Sequence, residues 1–105
     1  MPDAYTVTLT PGALSDLERL DQFLRDKNPM AANRMLAAFN AAFARLAESP
    51  LDSPVARATT LRARIVRFGQ GGYVCLYRVR GSAVVVARLY HTREDWRVGE
   101  GGVGG

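Results

Sequence analysis

The sequence is poor in the residues that bind metals and form disulfides: its 105 residues include one cysteine and one histidine. The single cysteine, Cys75, excludes an internal disulfide and fits a reducing compartment. Cys75 also falls inside a predicted strand, which leaves too few ligands for a metal site, and we expect none. The glycine run at 69–72 joins two predicted strands and lacks the helix N-terminus of a phosphate-binding loop, so we expect no cofactor.

Long apolar runs are also absent. No run approaches the roughly 20 residues that a membrane-spanning helix requires, so we expect no membrane association. The start of the chain lacks a basic segment followed by an apolar one and a cleavage site, which favours a cytoplasmic protein. A length of 105 residues corresponds to one domain. We assign this domain to residues 1–98 and expect the glycine-rich residues 99–105 to form a flexible tail.

Acidic residues are scarce in the second half of the chain. Residues 1–52 carry five basic and seven acidic side chains, whereas residues 53–105 carry nine basic and three acidic ones. All nine of those basic residues are arginine, and the guanidinium group binds carboxylates and phosphates through two hydrogen bonds. We therefore expect the second half to face an anionic partner, either nucleic acid or an acidic protein.

The spacing of apolar residues predicts a strand and two helices in the first half. Apolar and polar residues alternate over residues 5–9, which is typical of a strand with one buried face. Thr10-Pro11 and Asn28-Pro29 each combine a capping side chain with a proline suited to the first turn, so each begins a helix. Glu48-Ser49-Pro50 ends the second helix. The connection between the helices is so short that they must form an antiparallel hairpin.

Three further strands are predicted over residues 61–66, 73–80 and 83–91. Glycine turns at 69–72 and 81–82 join them, and the second turn has the length of a two-residue hairpin. The order is therefore β-α-α-β-β-β, an α+β fold in which a helical hairpin covers one face of a small, largely antiparallel sheet.

The other face of the predicted sheet mixes arginine with apolar side chains. Strict alternation assigns to this face Arg62, Arg64, Val66, Val84, Val86, Arg88 and Tyr90. It assigns Leu61, Ala63, Ile65, Val85, Ala87 and Leu89 to the opposite face. The arginine-containing face is too apolar to be left in water, which favours a partner surface. The alternative is that these side chains pack on loops or on a neighbouring subunit.

The residues with reactive side chains form no clear catalytic set. His91 ends the last strand, where it could act as a general acid or base or make a structural hydrogen bond. Cys75 lies in mid-strand, where a thiol is usually a small buried hydrophobe. Glu94 and Asp95 are adjacent in sequence, so their carboxylates need not converge. Trp96 is either an anchor for the tail or an exposed recognition residue.

Several short motifs follow one another along residues 5–97. In chain order they are Ala13-x-x-Asp16-Leu17, Pro29-x-Ala31-Ala32, Ser49-Pro50, Leu61-Arg62, Gly72-Tyr73-x-x-x-Tyr77 and Arg88-Leu89-Tyr90-His91-Thr92-Arg93-Glu94-Asp95-Trp96. Together they resemble the ParE/RelE toxin superfamily of bacterial type II toxin–antitoxin modules. The fold of that superfamily agrees with the element order derived above.

The resemblance implies one of two activities. RelE-like toxins are ribosome-dependent mRNA endonucleases, whereas ParE-like toxins bind and poison DNA gyrase without chemistry of their own. For the nuclease, the residues that this sequence offers are Arg62, Arg64, Arg88 and His91. Val74 and Thr92 occupy positions where nucleases often carry an arginine and a tyrosine, and the His-x-Arg-Glu-Asp-Trp ending is more similar to ParE. The resemblance therefore favours gyrase inhibition. A domain that had lost its toxicity would keep the same core pattern.

The resemblance also implies the partners. A cognate antitoxin would bind operator DNA through its N-terminal part and the toxin through a flexible C-terminal segment, so the toxin would reach DNA only through the antitoxin. The residues expected to face gyrase are Arg78, Arg88, His91, Arg93 and Trp96. Those expected to meet the acidic antitoxin segment are Arg62, Arg64 and Val66.

Overall fold

The computed structural model describes residues 4–53, 55, 60–69 and 71–94. The elements are β1 (Thr6–Leu9), α1 (Pro11–Lys27), α2 (Pro29–Glu48), β2 (Arg62–Phe68), β3 (Gly71–Arg80) and β4 (Ala83–His91). This order confirms the predicted α+β fold. Trp96 and the predicted tail at 99–105 lie outside the described residues. Within the described part of the chain, neither helix combines the length and the apolar character needed to cross a bilayer.

The two helices begin where their capping residues predict. The side chain of Thr10 accepts a hydrogen bond from the backbone N–H of Ala13, and that of Asn28 accepts one from Ala31. A proline follows each cap. Asn28 also ends α1, since its own N–H donates to the carbonyl of Leu24. One residue therefore ends the first helix and starts the second, which keeps the hairpin tight.

The four strands form one mixed sheet in the order β1-β4-β3-β2. The β2-β3 and β3-β4 pairs are antiparallel, and β1 pairs in parallel with residues 83–86 of β4. Because β1 is short, the remaining length of β4 has no neighbouring strand on that side among the described residues. Among the described strands, β2 forms the opposite edge of the sheet and has β3 as its one neighbour.

A bulge in β4 changes which of its side chains face the helices. Tyr77 is opposite Val86, whereas the preceding Leu76 is opposite Arg88, so Ala87 has no partner in β3. This extra residue shifts the alternation by one position. Val86 and Leu89 therefore both lie in the core. The prediction from strict alternation, which separated Val84 and Val86 from Leu89, was wrong for this reason.

The predicted faces of β2 were also wrong. Val66 is buried in the core, whereas Ile65 is 52% exposed. Alternation then places Arg62 and Arg64 on the helix side with Val66, not on the open face. The register explains the result: Val66 is opposite Tyr73, which packs against Phe39 of α2. The long arginine stems can line the rim of this core while their charged ends reach outward.

Candidate functional site

The N-cap Thr10 and side chains of α1 close the part of β4 that β1 leaves open. The hydroxyl of Thr10 donates to the carbonyl of Ala87 at 2.9 Å. The N–H of Leu89 donates to the carboxylate of Asp16 at 2.9 Å, and Arg19 donates to the Leu89 carbonyl at 3.3 Å. These groups supply the hydrogen bonds that a neighbouring strand would make. The helix thereby fixes the position of the end of β4.

Asp16 is the centre of this contact. Its carboxylate accepts two further hydrogen bonds from Arg88, at 2.7 and 3.0 Å. Burial raises the pKa of Asp16, but the hydrogen bonds from Arg88 and Leu89 outweigh it and lower the pKa below its ordinary value. No contact was predicted for Asp16 from the sequence. Its spacing of three residues from Ala13 and four from Leu20, both buried, was the signal that could have identified it.

Arg88, which we predicted both as a target contact and as a nuclease residue, is held in place by this ion pair. The hydrogen bond with Asp16 raises the pKa of Arg88. Its guanidinium also lies over the ring of Tyr90, 4.9 Å from the ring centre. The side chain remains 46% exposed. It can therefore contact a partner, although two nitrogens of its guanidinium already donate hydrogen bonds to Asp16.

A cleft of about 510 Å³ lies between α1 and the ends of β3 and β4. Its lining consists of Arg19, Leu20, Phe23, Leu24, Tyr73, His91, Arg93 and Glu94. Phe23 is 65% exposed. The cleft thus combines an accessible aromatic ring with charged groups, a composition common in protein-binding surfaces.

His91 lies on the inner side of this cleft. Its ring meets the ring of Tyr73 edge-on, with centroids 5.2 Å apart. Its Nδ1 accepts a hydrogen bond from the backbone N–H of Arg93 at 3.0 Å. A Cβ on Gly71 would lie 3.5 Å from the Nε2 of His91, so the ring packs closely over this glycine. These contacts position the histidine through packing and a turn hydrogen bond.

Glu94 closes the turn after β4 and ties it to α1. One carboxylate oxygen accepts from the N–H of His91 at 2.8 Å, and the other accepts from Arg19 at 2.7 Å. From the sequence, Glu94 was paired only with its neighbour Asp95, which lies outside the described residues. Arg19, Phe23 and Glu94 were missed as site residues because they become neighbours only when α1 packs on the end of β4.

The candidate nuclease residues do not converge. Arg62 donates to the carbonyl of Ser53 at 2.7 Å, and Arg64 donates to that of Ser49 at 3.5 Å. Both arginines belong to β2, whereas Arg88 belongs to β4, and β3 separates these strands. Two strand spacings correspond to roughly 10 Å between backbones. Arg88 is also held by Asp16, so the sheet does not gather the four residues around one reacting group.

The residues predicted to face a target are brought together only in part. His91 and Arg93 both line the cleft. Arg78 is exposed and pairs with Val85 near the other end of the β3-β4 hairpin. The five residue positions between Tyr73, opposite His91, and Arg78 correspond to roughly 17 Å along the strand. Arg78 therefore lies outside the cleft.

Cys75 is fully buried, as the sequence predicted. Burial raises the pKa of its thiol to about 12, against a smaller opposing influence of Arg64. The thiolate form needed for nucleophilic attack is therefore negligible near neutral pH.

A second depression, the α2–β2 groove, has a volume of about 350 Å³. Its lining consists of Ala38, Ala41, Ala42, Arg45, Arg64, Ile65, Val66 and Arg67. Two of the three predicted antitoxin contacts, Arg64 and Val66, therefore share one groove, with Val66 buried. Arg62 is not among its lining residues. The buried Nε of Arg64 has no hydrogen-bond partner within the described part of the chain.

The chain is similar to known toxins over most of its length. Residues 7–96 match the family model described as the ParE toxin of type II toxin–antitoxin systems. Toxin RelE1 of Caulobacter vibrioides is 37% identical over 91 residues, covering 87% of this chain and 97% of the relative. Toxin RelE3 of the same organism is 36% identical over 89 residues, covering 85% and 96% respectively. The family model bears the name ParE and both relatives bear the name RelE, so the names do not select one branch.

Proposed function

This chain belongs to the ParE/RelE toxin superfamily of type II toxin–antitoxin systems, and from that membership we propose that it inhibits DNA gyrase by binding. A type II toxin has a cognate antitoxin as its partner. The proposal goes further in naming gyrase as the target and in assigning binding, rather than catalysis, as the mode of action.

The observation that carries the proposal is the separation of the candidate nuclease residues. A general acid or base contributes about 10²–10⁴-fold to a rate only when it is positioned at the reacting group. Arg88 is paired with Asp16, and Arg62 donates to a loop carbonyl at the other edge of the sheet. His91 packs against Tyr73. Such an arrangement supports a toxin that acts by binding its target rather than by catalysis.

The cleft between α1 and the ends of β3 and β4 is the proposed target-binding surface. Phe23 supplies an exposed aromatic ring, and Arg93 and His91 supply polar contacts beside it. Aromatic and arginine side chains commonly dominate the binding energy of protein interfaces. Trp96 follows Glu94 by two positions and remains part of the proposed surface on sequence grounds. Arg88 contributes mainly by holding β4 against α1, and Arg78 would require a second contact area.

We assign the antitoxin to the α2–β2 groove, through Arg64 and Val66. Arg62 stabilises the loop after α2, since it donates to Ser53, and is a less direct contact. Operator DNA would be reached through the antitoxin alone. Strict alternation predicted that Arg64 and Val66 lie on the open face of the sheet, whereas they line the groove between α2 and β2.

Reversal of one charge in the cleft tests the target surface. We expect Arg93→Glu to weaken inhibition of purified gyrase in a supercoiling assay about tenfold or more, which corresponds to about 1.4 kcal/mol of lost binding. Arg80→Glu, the same charge change at an exposed position near the β3-β4 turn, should leave inhibition within about twofold of the unsubstituted chain. Full inhibition by Arg93→Glu, with a native circular dichroism spectrum, would show that the target binds elsewhere.

A further inference from the structure

The turn at residues 91–94, which follows β4, is closed by Glu94 in two ways. The backbone N–H of Glu94 donates to the carbonyl of His91 at 2.9 Å. In return, Oε1 of Glu94 accepts from the N–H of His91 at 2.8 Å. The N–H of Arg93 donates to Nδ1 of the same histidine at 3.0 Å. These reciprocal hydrogen bonds give the backbone of the turn a defined shape, as a side-chain cap does at a helix start.

Arg19 connects this turn to α1. Its Nη1 donates to Oε2 of Glu94 at 2.7 Å. Its Nη2 lies 3.3 Å from the carbonyl of Leu89 and 3.4 Å from Oδ1 of Asp16. One guanidinium therefore joins the helix, the last strand and the turn. Its planar group of donors suits such a role better than an ammonium group would.

Arg93 depends on the turn for its position. It lines the cleft, and its guanidinium has no ion pair among the described residues. His91, by contrast, is also held by the edge-on contact of its ring with Tyr73. A side chain whose backbone is already fixed loses less conformational freedom when a partner binds. The contacts of Arg19 and Glu94 are the ones that fix the backbone on either side of Arg93.

We propose that Arg19 and Glu94 are positioning residues for target binding: their ion pair fixes the turn against α1 and so presents Arg93 at the cleft. The proposal rests on the proposed target surface, but it does not depend on gyrase being the target. Growth arrest by the toxin is therefore the suitable measure of activity. It is followed in cells that lack the antitoxin, as the amount of soluble toxin that halves the growth rate.

The direction of two single substitutions tests the positioning role. Arg19→Gln removes a positive charge, and Glu94→Gln removes a negative charge while keeping an acceptor for the N–H of His91. Both break the same ion pair, so each should raise the amount of toxin needed for half-arrest about fivefold. The double variant should differ from either single variant by less than about twofold. Direct electrostatic contact of Arg19 with an anionic target would make the two substitutions act in opposite directions, which would overturn the proposal.

Removal of Arg93 tests whether the ion pair acts through this residue. Arg93→Ala should itself weaken arrest, and adding Arg19→Gln to it should change the remaining activity less than about twofold. A general loss of structure would instead weaken both backgrounds alike. The matched control is Arg25→Gln, which breaks another ion pair of α1 with similar exposure, 36% for the Arg25 side chain against 43% for Arg19. Because Arg25 does not line the cleft, this variant should stay within about twofold of the unsubstituted chain.

Amide hydrogen exchange tests the turn without any measure of toxicity. In purified Arg19→Gln, the amides of His91 and Glu94 should exchange about three- to fivefold faster, because the turn has lost its attachment to α1. Amides of residues 78–80, at the other end of the β3-β4 hairpin, serve as the internal control. Unchanged exchange at His91 and Glu94 would overturn the proposed fixation of the turn.

Failure of the proposed target surface gives a different pattern. Full arrest by Arg93→Ala, together with faster exchange in Arg19→Gln, would show that the ion pair holds the turn but that the target binds elsewhere, and the positioning role would fall with the surface. Weakened arrest by Arg93→Ala with full arrest by Arg19→Gln would keep the surface and overturn the positioning role alone.

Discussion

Asp16 shows how one buried carboxylate can hold an element in place. It accepts hydrogen bonds from the side chain of Arg88 and from the backbone of Leu89. We expect Asp16→Asn to lower the free energy of unfolding by about 1–3 kcal/mol, because the buried partners lose a charged acceptor. Urea unfolding measures this loss. Asp21→Asn, which breaks the partly exposed pair with Arg25, is the matched control, and an equal loss there would contradict the central role of Asp16.

The same residue makes stability depend on pH in the acid range. Burial raises the pKa of Asp16, but its hydrogen bonds with Arg88 and Leu89 lower the pKa overall. A folded-state pKa below the unfolded value stabilises the fold above about pH 4 and loses this effect as pH falls through the folded pKa. Between about pH 5 and about pH 3 the unsubstituted chain should therefore lose more stability than Asp16→Asn. Parallel losses in urea titrations at the two pH values would exclude this linkage.

At the level of elements, the bulge in β4 decides which residues reach the helices. Ala87 has no partner in β3, and residues after it are shifted by one position. Deletion of Ala87 should remove the bulge but leave Leu89 and His91 on the same face as Val86, because regular alternation places residues two positions apart on one face. Insertion of one alanine between Arg88 and Leu89 should instead turn Leu89 and His91 away from the core and prevent stable folding, because a one-residue slip reverses the faces of a strand. Thermal unfolding compares the two variants, and a cooperative transition of the insertion variant near that of the unsubstituted chain would contradict this prediction.

The elements themselves were predictable because their signals are local. Thr10 and Asn28 define the helix starts by contacts that span three residues. The faces of β2 and β4 were not predictable in this way. The bulge at Ala87 and the burial of Val66 depend on pairing with β3 and on packing against α2. Strict alternation carries no information about either.

The residues of the candidate site were likewise predictable only where their signal is local. His91 and Arg93 could be identified because they end the last strand, where the sequence changes from apolar to polar. Phe23 and Glu94 line the same cleft but are about 70 residues apart in the chain. Their proximity follows from the packing of α1 along the open part of β4, which the sequence pattern does not specify.

For the molecule as a whole, the two proposed surfaces lie at different edges of the sheet. The cleft involves α1 and β4, whereas the groove involves α2 and β2. Target and antitoxin contacts should therefore be separable by mutation. We expect Arg93→Glu to weaken inhibition of gyrase while changing the antitoxin dissociation constant less than about twofold. Isothermal titration calorimetry measures the latter, and a loss of both activities in a folded variant would show that the surfaces overlap.

We propose that this toxin acts on gyrase by binding. The most direct test is a supercoiling assay with purified gyrase and ATP, run beside a ribosome-programmed mRNA cleavage assay on the same toxin preparation. We expect loss of supercoiling, or cleaved DNA complexes, together with intact mRNA. Cut mRNA with unaffected gyrase would contradict it, and would mean that His91 and the arginines assemble into a catalytic site when the toxin is bound to the ribosome.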